Sequence, residues 1–313
     1  MRLAIMGAGA VGRSVAELAP EYGHDVVGIA DSGGSVVDEN GLSIGDVFAT
    51  KDETGTVGTA DSAAVLQADY DVLVEATPTT LGDAEPGFGN LVTALDRDRH
   101  VVLANKGPVA ERYDEVMALA AESAGEVRFE ATVGGAIPAI ATIEGVGPSR
   151  VTAVRGVLNG TANFILTRMA KEGLSYEHVL AEAQDLGVAE ADPSFDVEGT
   201  DAALKGVIVA NVLDGGDYTL EDATVEGITE LPTSALDLAA EDGRTVRLIV
   251  EVTDDGVHVG PRLVPEHDTL AVSGTMNIVQ LETEHAGRLN ISGRGAGGPE
   301  TASAVLADVD RLD

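Results

Sequence analysis

The sequence predicts an α/β protein in two parts, a doubly wound parallel sheet followed by a second α+β domain. Three observations carry that prediction. Through the first 130 residues, short apolar runs alternate with Ala- and Leu-rich stretches, the pattern of parallel strands covered by helices on both faces. After about Ala131 the alternation gives way to successive helical stretches and then to period-two strands, as in α+β folds. The last segment turns glycine-rich and ends in a single helix. The expected boundaries are therefore 1–130, 131–292 and 293–313.

The elements follow in order. Strands are predicted at Leu3–Met6, Asp25–Ala30, Asp71–Glu75, His100–Ala104 and Glu126–Glu130, with helices at Arg13–Glu21 and Glu111–Ser123. The stretch Asp31–Gly58 is rich in Gly, Asp and Ser and reads mostly as loop. Helices are predicted at Thr161–Lys171, Tyr176–Leu186 and Thr200–Leu213. Alternating strands follow at Val246–Val252, Val257–Val264 and Ile278–Glu284, and a last helix at Thr301–Arg311. That last segment is expected to fold back onto the first domain.

Charge narrows the function classes. The 313 residues carry 53 Asp plus Glu against 19 Lys plus Arg, a formal net charge of −34. The acids are spread along the chain between apolar runs, which describes a carboxylate-coated folded surface rather than an acidic tail. Only Lys51, Lys106, Lys171 and Lys205 are lysines. Scarce lysine with abundant acid resembles the composition of salt-accumulating halophiles. Nucleic acid and anionic membranes would be repelled. The absence of cysteine excludes disulfides, thiolate-held zinc and a thiolate nucleophile. No stretch has the length of a membrane-spanning helix, and the start MRLAIMGAGA has too short an apolar run for a secretory signal. A cytoplasmic location is expected.

Gly7-Ala8-Gly9-Ala10-Val11-Gly12 stands between a predicted strand and a predicted helix. Gly7 suits a tight turn, Gly9 close approach of a pyrophosphate, and Gly12 close helix–strand packing, with the helix N-terminus offering N–H groups to phosphates. Asp31 ends the second strand where an acid binds a ribose. No arginine follows it, so NAD is favoured over NADP, although Lys51 could reach a 2′-phosphate. The run Val101–Lys106 delivers a lysine at a strand's C-terminal end, where open α/β sheets bind ligands. The segment from Ala183 to Lys205 gathers Glu190, Asp192, Asp196 and Asp201 before Lys205. Asp201 and Lys205 are four apart and share a helix face, and the apolar run Val207–Leu213 makes that helix a buried one. An exposed ion pair would not explain a lysine at the mouth of a buried helix in so lysine-poor a chain.

The spacing A-x3-G-V-A-x2-D-P-x2-D-V-x-G-x-D-x3-K over Ala183–Lys205 resembles the signature of the homoserine dehydrogenase family at every constrained position. Ala104-Asn105-Lys106, Glu130–Pro138, Leu158–Leu166 and Gly293–Ala302 resemble, in order, the family's Asn-Lys element, glycine-rich crossover, substrate loop and C-terminal loop. The resemblance implies a Rossmann-type first domain, a second catalytic and dimerisation domain, and NAD(P)-dependent interconversion of aspartate 4-semialdehyde and homoserine by a homodimer. It implies Lys205 and Lys106 as acid/base candidates with Asp201 positioning water or the carbonyl. Glu190 and Asp196 would hold the substrate's amino group, with Gly160 and Thr161 touching the substrate. Thr77, Pro78, Asn105, Lys106 and Gly295 would join Gly7, Gly9, Ala10, Val11, Gly12 and Asp31 around the cofactor. A monovalent cation, Na⁺ or K⁺, would lie at Glu130, Val133, Gly135 and Ile137, since hard oxygens suit it. Many members carry a regulatory domain or a kinase, whereas this chain ends after its last predicted helix. Threonine feedback through such a domain is therefore not expected.

Two other readings were open at this point. A semialdehyde dehydrogenase that works through a cysteine is closed by the missing thiol, but another amino-acid or hydroxy-acid dehydrogenase would share most of these features. A non-catalytic NAD(H) sensor would bind cofactor and turn over nothing. The Asp201–Lys205 pair speaks against it.

Overall fold

The structure is a computed structural model that describes residues 1–216 and 218–312; Asp313, the end of the predicted C-terminal segment, lies outside them. It divides into two units, Met1–Ala136 with the segment from Ala296 onward, and Ile137–Gly295.

The first unit runs β1 (Arg2–Met6), α1 (Ala10–Leu18), β2 (Asp25–Asp31), β3 (Gly34–Val37), α2 (Ile44–Thr54), α3 (Ala63–Gln67), β4 (Val72–Glu75), α4 (Gly87–Leu95), β5 (His100–Leu103), α5 (Gly107–Glu111), α6 (Tyr113–Glu122) and β6 (Val127–Arg128). Its sheet has the order β3-β2-β1-β4-β5-β6. All neighbours are parallel except β2 and β3, which form an antiparallel edge. β1 and β4 are buried on both faces, which is why they read as continuous apolar runs rather than alternating ones.

The stretch expected to be mostly loop, Asp31–Gly58, instead folds as β3 and α2. Two glycines allow the backbone to close there: a Cβ on Gly34 would sit 2.3 Å from the Gly58 carbonyl oxygen, and one on Gly58 2.2 Å from that of Ser35. α2 buries Val47 and Phe48 against the unit's core, an apolar pair hidden in sequence by the acids around it. The helix expected at Glu111–Ser123 is two, α5 and α6, parted at Arg112 (φ −140°, ψ 37°).

The second unit contains α7 (Ala139–Val146), β7 (Val151–Val157), α8 (Gly160–Glu172), α9 (Tyr176–Asp185), α10 (Ser194–Val197), α11 (Thr200–Asp214), β8 (Ala223–Val225), α12 (Thr233–Glu241), β9 (Arg244–Thr253), β10 (Gly256–Pro265), β11 (Met276–Thr283) and β12 (Gly287–Arg294). The sheet order is β12-β11-β7-β9-β10-β8, antiparallel apart from the parallel pair β8 and β10. α11 is buried from Asp201 to Asn211. Gly206 brings it onto the sheet, since a Cβ there would lie 2.8 Å from both Val250 and Val257.

The chain then returns to the first unit as α13 (Gly298–Val309). Val305, Leu306 and Val309 join the core formed by Leu3, Ile5 and Val15. At its first residue the packing on α1 is tight: a Cβ on Gly298 would be 2.6 Å from Ser14 Oγ and 2.9 Å from the Ala10 carbonyl. No described helix is long and apolar enough to cross a membrane.

Candidate active site

In the first unit, candidate residues collect where β1, β4 and β5 end. Gly7 has φ +103°, and a Cβ on it would be 2.3 Å from the Ala76 carbonyl oxygen. A Cβ on Gly12 would be 1.8 Å from the Gly7 carbonyl oxygen. Packing therefore dictates both. Gly9 is different: it is extended, and nothing lies within 4 Å of the Cβ position. The fold does not need glycine there, so the open space suits a group brought close to the backbone. Gly9 also caps α1 without a side-chain hydrogen bond, so the N–H groups of the turn entered by Ala10 and Val11 remain available to phosphates. The residues fit a dinucleotide.

Asp31 ends β2 as expected, but its carboxylate organises the next loop. Oδ1 accepts from the N–H groups of Gly33 (2.9 Å) and Gly34 (3.1 Å) and from the Thr56 hydroxyl (2.9 Å). Oδ2 accepts from the Val57 N–H (3.0 Å) and the Lys51 ammonium. Burial pushes this carboxyl up, yet Lys51 and the other donors outweigh it and bring the pKa down to about 2. Lys51 is thus held on Asp31.

At the ends of β4 and β5, Thr77 and Asn105 converge on one acid that sequence reasoning missed, Glu75, and the Pro78 carbonyl meets Asn105. It is fully buried. Oε1 accepts from the Thr77 N–H (2.9 Å) and hydroxyl, and Oε2 from Asn90 Nδ2 (2.8 Å). Asn105 Nδ2 lies 3.5 Å from Oε1, 3.1 Å from Thr77 Oγ1 and 3.4 Å from the Pro78 carbonyl. Lys106 follows, half-buried, as the N-cap residue of α5. The available sequence signal was an acid ending an apolar strand at the ligand-binding edge.

In the second unit, the first turn of α11 carries the acid–lysine pair. Lys205 Nζ is 2.6 Å from Asp201 Oδ2 and 2.6 Å from the Leu158 carbonyl oxygen, with both side chains about nine-tenths buried. Asn159, also missed, ties the acids together: its Nδ2 donates to Asp201 Oδ2 (2.9 Å) and Asp196 Oδ1 (2.7 Å). Its Oδ1 caps α8 by accepting from the Ala162 N–H (2.8 Å). An asparagine directly before a helix was the readable clue. Gly160 begins α8, and a Cβ there would be 3.1 Å from the Thr275 carbonyl oxygen. Thr161 donates to the Val188 carbonyl (3.0 Å). Glu190 is exposed and is not drawn into the Asn159 network.

Two further expectations meet other structural roles. A Cβ on Gly295 would be 1.8 Å from Asn277 Nδ2, so packing within the second unit already requires that glycine. Glu130 is buried; its N–H donates to Asp308 (2.8 Å), and its carboxylate lies 3.8 Å from the Arg311 guanidinium. Val133 and Gly135 belong to the same unit, and Ile137 opens the other. Among the described residues, no group of three or more His, Asp or Glu is arranged to hold a metal ion.

Comparison with known proteins accounts for both units. A family model described as homoserine dehydrogenase matches residues 138–309. A model of the glutamate/leucine/phenylalanine/valine dehydrogenases matches residues 1–183, which leaves out Asp196, Asp201 and Lys205. A homoserine dehydrogenase of Methanocaldococcus jannaschii is 40% identical over 99% of this chain and 97% of its own length. An NAD(+)-dependent homoserine dehydrogenase of Pseudomonas canavaninivorans is 36% identical over 98% and 95%. Among solved structures, a protein of Archaeoglobus fulgidus described as a homoserine dehydrogenase superposes with a TM-score of 0.92 at 42% identity, covering 99% of this chain and 98% of that one. A hyperthermophilic archaeal homoserine dehydrogenase in complex with NADPH superposes with a TM-score of 0.86 at 29% identity, covering 99% and 96%.

Proposed function

The chain belongs to the homoserine dehydrogenase family, and we propose that Lys205, held by Asp201, moves the proton of its reaction. The protein is an NAD(P)-dependent homoserine dehydrogenase. Bound NAD(P)H supplies the hydride for the carbonyl carbon of aspartate 4-semialdehyde, and the oxidised form takes it back from homoserine. What the chain must add is orientation and a proton at the oxygen.

The single observation that carries the reading is the buried contact of Lys205 Nζ with Asp201 Oδ2 and the Leu158 carbonyl. Two acceptors fix the ammonium's position, and a fixed ammonium both offsets alkoxide charge and donates the proton that quenches it. Asn159 locks Asp201 and Asp196 in one arrangement. Asp196 and Glu190 take the substrate's ammonium, with Gly160 and Thr161 along the substrate. Lys106 is the second acid/base residue. Gly7, Gly9, Ala10, Val11 and Gly12 hold the pyrophosphate, and Thr77, Pro78, Asn105 and Gly295 serve the rest of the cofactor.

For the cofactor, NAD is favoured: Asp31 stands where a ribose diol binds and repels a 2′-phosphate, and its bond to Lys51 keeps that ammonium occupied. Na⁺ or K⁺ would share the Glu130 carboxylate with Arg311 and take carbonyls of Val133 and Gly135. A homodimer through the second unit is supported by exposed Leu238 and Leu263 there. A cytoplasmic, biosynthetic setting suits this activity.

The test is homoserine oxidation followed by reduced-cofactor absorbance, with NAD and then NADP. Lys205→Ala should lower turnover by orders of magnitude while NADH affinity stays within a few fold. Near-normal turnover in that variant would remove Lys205 from the mechanism. A higher kcat/KM with NADP would overturn the reading of Asp31.

A further inference from the structure

We infer that Glu75 is a positioning residue of the cofactor site, acting through Asn105 and Thr77. The inference rests on the reading of Thr77, Pro78 and Asn105 as cofactor-binding. Glu75 is fully exposed to the core and not to water: its strand neighbours Leu73 and Val74, and Leu103 paired to it on β5, are all fully buried. Among the described residues, no cation pairs with it. A carboxylate in such a place is unfavourable, and burial pushes its pKa up. A leucine would serve the core better. What the carboxylate provides instead is a common acceptor for donors from three directions.

The Thr77 N–H and hydroxyl reach it from the turn after β4, Asn90 from α4, and Asn105 from the end of β5. Asn105 is then fixed from its other side as well, because Oδ1 accepts the Gly107 N–H at 2.9 Å. Gly87 leaves it no slack: a Cβ there would be 2.5 Å from Asn105 Nδ2. Glu75 thus commits the hydrogens of the Thr77 hydroxyl and the Asn105 amide inward and holds the two loops at the cofactor edge in one register. Among the described residues, the Asn90 side chain bonds to Glu75 alone, so it supports the carboxylate from α4 rather than from the loops.

Glu75→Gln tests this in the full chain, because the amide keeps the shape but must turn its NH₂ toward one of these donors. Titrating NADH by fluorescence, we expect Glu75→Gln to weaken binding about tenfold, in line with an unsatisfied buried contact. Turnover at saturating cofactor should stay within about threefold, and the far-ultraviolet dichroism should be unchanged. Asn105→Ala should weaken NADH binding too, and adding Glu75→Gln to it should weaken binding by clearly less than the single Glu75→Gln does, since part of the effect of Glu75 passes through Asn105. Full additivity, or wild-type NADH affinity in Glu75→Gln beside a weakened Asn105→Ala, overturns the inference and leaves the cofactor reading intact. Wild-type affinity in Asn105→Ala overturns the cofactor reading itself, and the inference with it. If Glu75→Gln does not fold, Asn90→Leu replaces it: severalfold weaker NADH binding that shrinks in the Asn105→Ala background supports the role, and unchanged binding or full additivity overturns it.

Discussion

Replacing Lys205 by methionine keeps most of the buried stem and removes the ammonium. Its effect on stability follows from the geometry. Lys205 Nζ is 2.6 Å from Asp201 Oδ2, with 8% and 10% of the two side chains exposed. Forming such a pair yields little net stability, because both charges leave water, but deleting one partner leaves the other buried and typically costs about 3–5 kcal/mol. The Leu158 carbonyl also loses its donor, roughly 1 kcal/mol more. At roughly 2–4 °C per kcal/mol, a total of about 4–6 kcal/mol should make Lys205→Met melt some 8–24 °C below the wild type. Lys205→Met with Asp201→Leu should recover most of that, since an apolar pair of similar volume restores a neutral core. The assay is thermal unfolding by dichroism, with urea unfolding as a second measure. The reasoning fails if the single variant melts within 1–2 °C of the wild type by such an estimate. It fails equally if the double variant is no more stable than the single, for then charge imbalance at Asp201 is not what Lys205 relieves.

Three other outcomes are expected. Gly9→Asn keeps good N-cap chemistry and enters open space, so the unfolding free energy should hold to within about 0.5 kcal/mol, while NADH affinity measured by titration falls at least about tenfold. Asp31 has a folded pKa of about 2 against an ordinary 3.8, so its contribution is complete above about pH 4 and is lost as pH falls toward 2. That contribution is about 2 kcal/mol; Asp31→Asn should therefore destabilise at pH 7 and flatten the acid limb of the stability–pH curve, and a wild-type acid limb would contradict the role. With a net charge of −34, the melting temperature should climb as potassium chloride is raised from low to molar concentration; a melt indifferent to salt would refute the halophilic reading.

The parts legible in sequence were those where one physical demand dominates. Buried parallel strands read as apolar runs, and the glycines at 7 and 12 are dictated by contacts that no other residue survives. α11 was legible because burial all round leaves a polar pair conspicuous. The illegible parts depend on partners distant in sequence. β3 and α2 hid in a polar stretch because the close approach of Gly34 to Gly58 is tertiary. β12, an edge strand beside β11 in the second sheet, exposes most of its residues, so it offered no full apolar pattern. Glu75 and Asn159 escaped for the same reason. Each is an ordinary residue in its own segment, and its role is visible only once hydrogen-bond partners 15, 30, 37 and 42 positions away are seen to meet it.

The scarcity of lysine bears on the choice between its two possible roles. Exposed ion pairs such as Arg13 with Asp52 and Arg150 with Glu284 are built with arginine, so surface pairing in this chain does not call for lysine. Lys205 instead lies in the core, bound to an acid and a carbonyl. An ammonium and a guanidinium share a charge, but only the ammonium gives up its proton in the range where enzymes work, and only it presents a compact point charge. If Lys205 served only to balance Asp201, arginine would preserve much of its function. If it transfers a proton, Lys205→Arg should lose turnover about as severely as Lys205→Ala while retaining NADH binding. Single-turnover reduction of the semialdehyde distinguishes the two, because it reports the chemical step without product release. Recovery of a substantial fraction of the wild-type rate in Lys205→Arg would confine Lys205 to charge balance and pass the proton to another group.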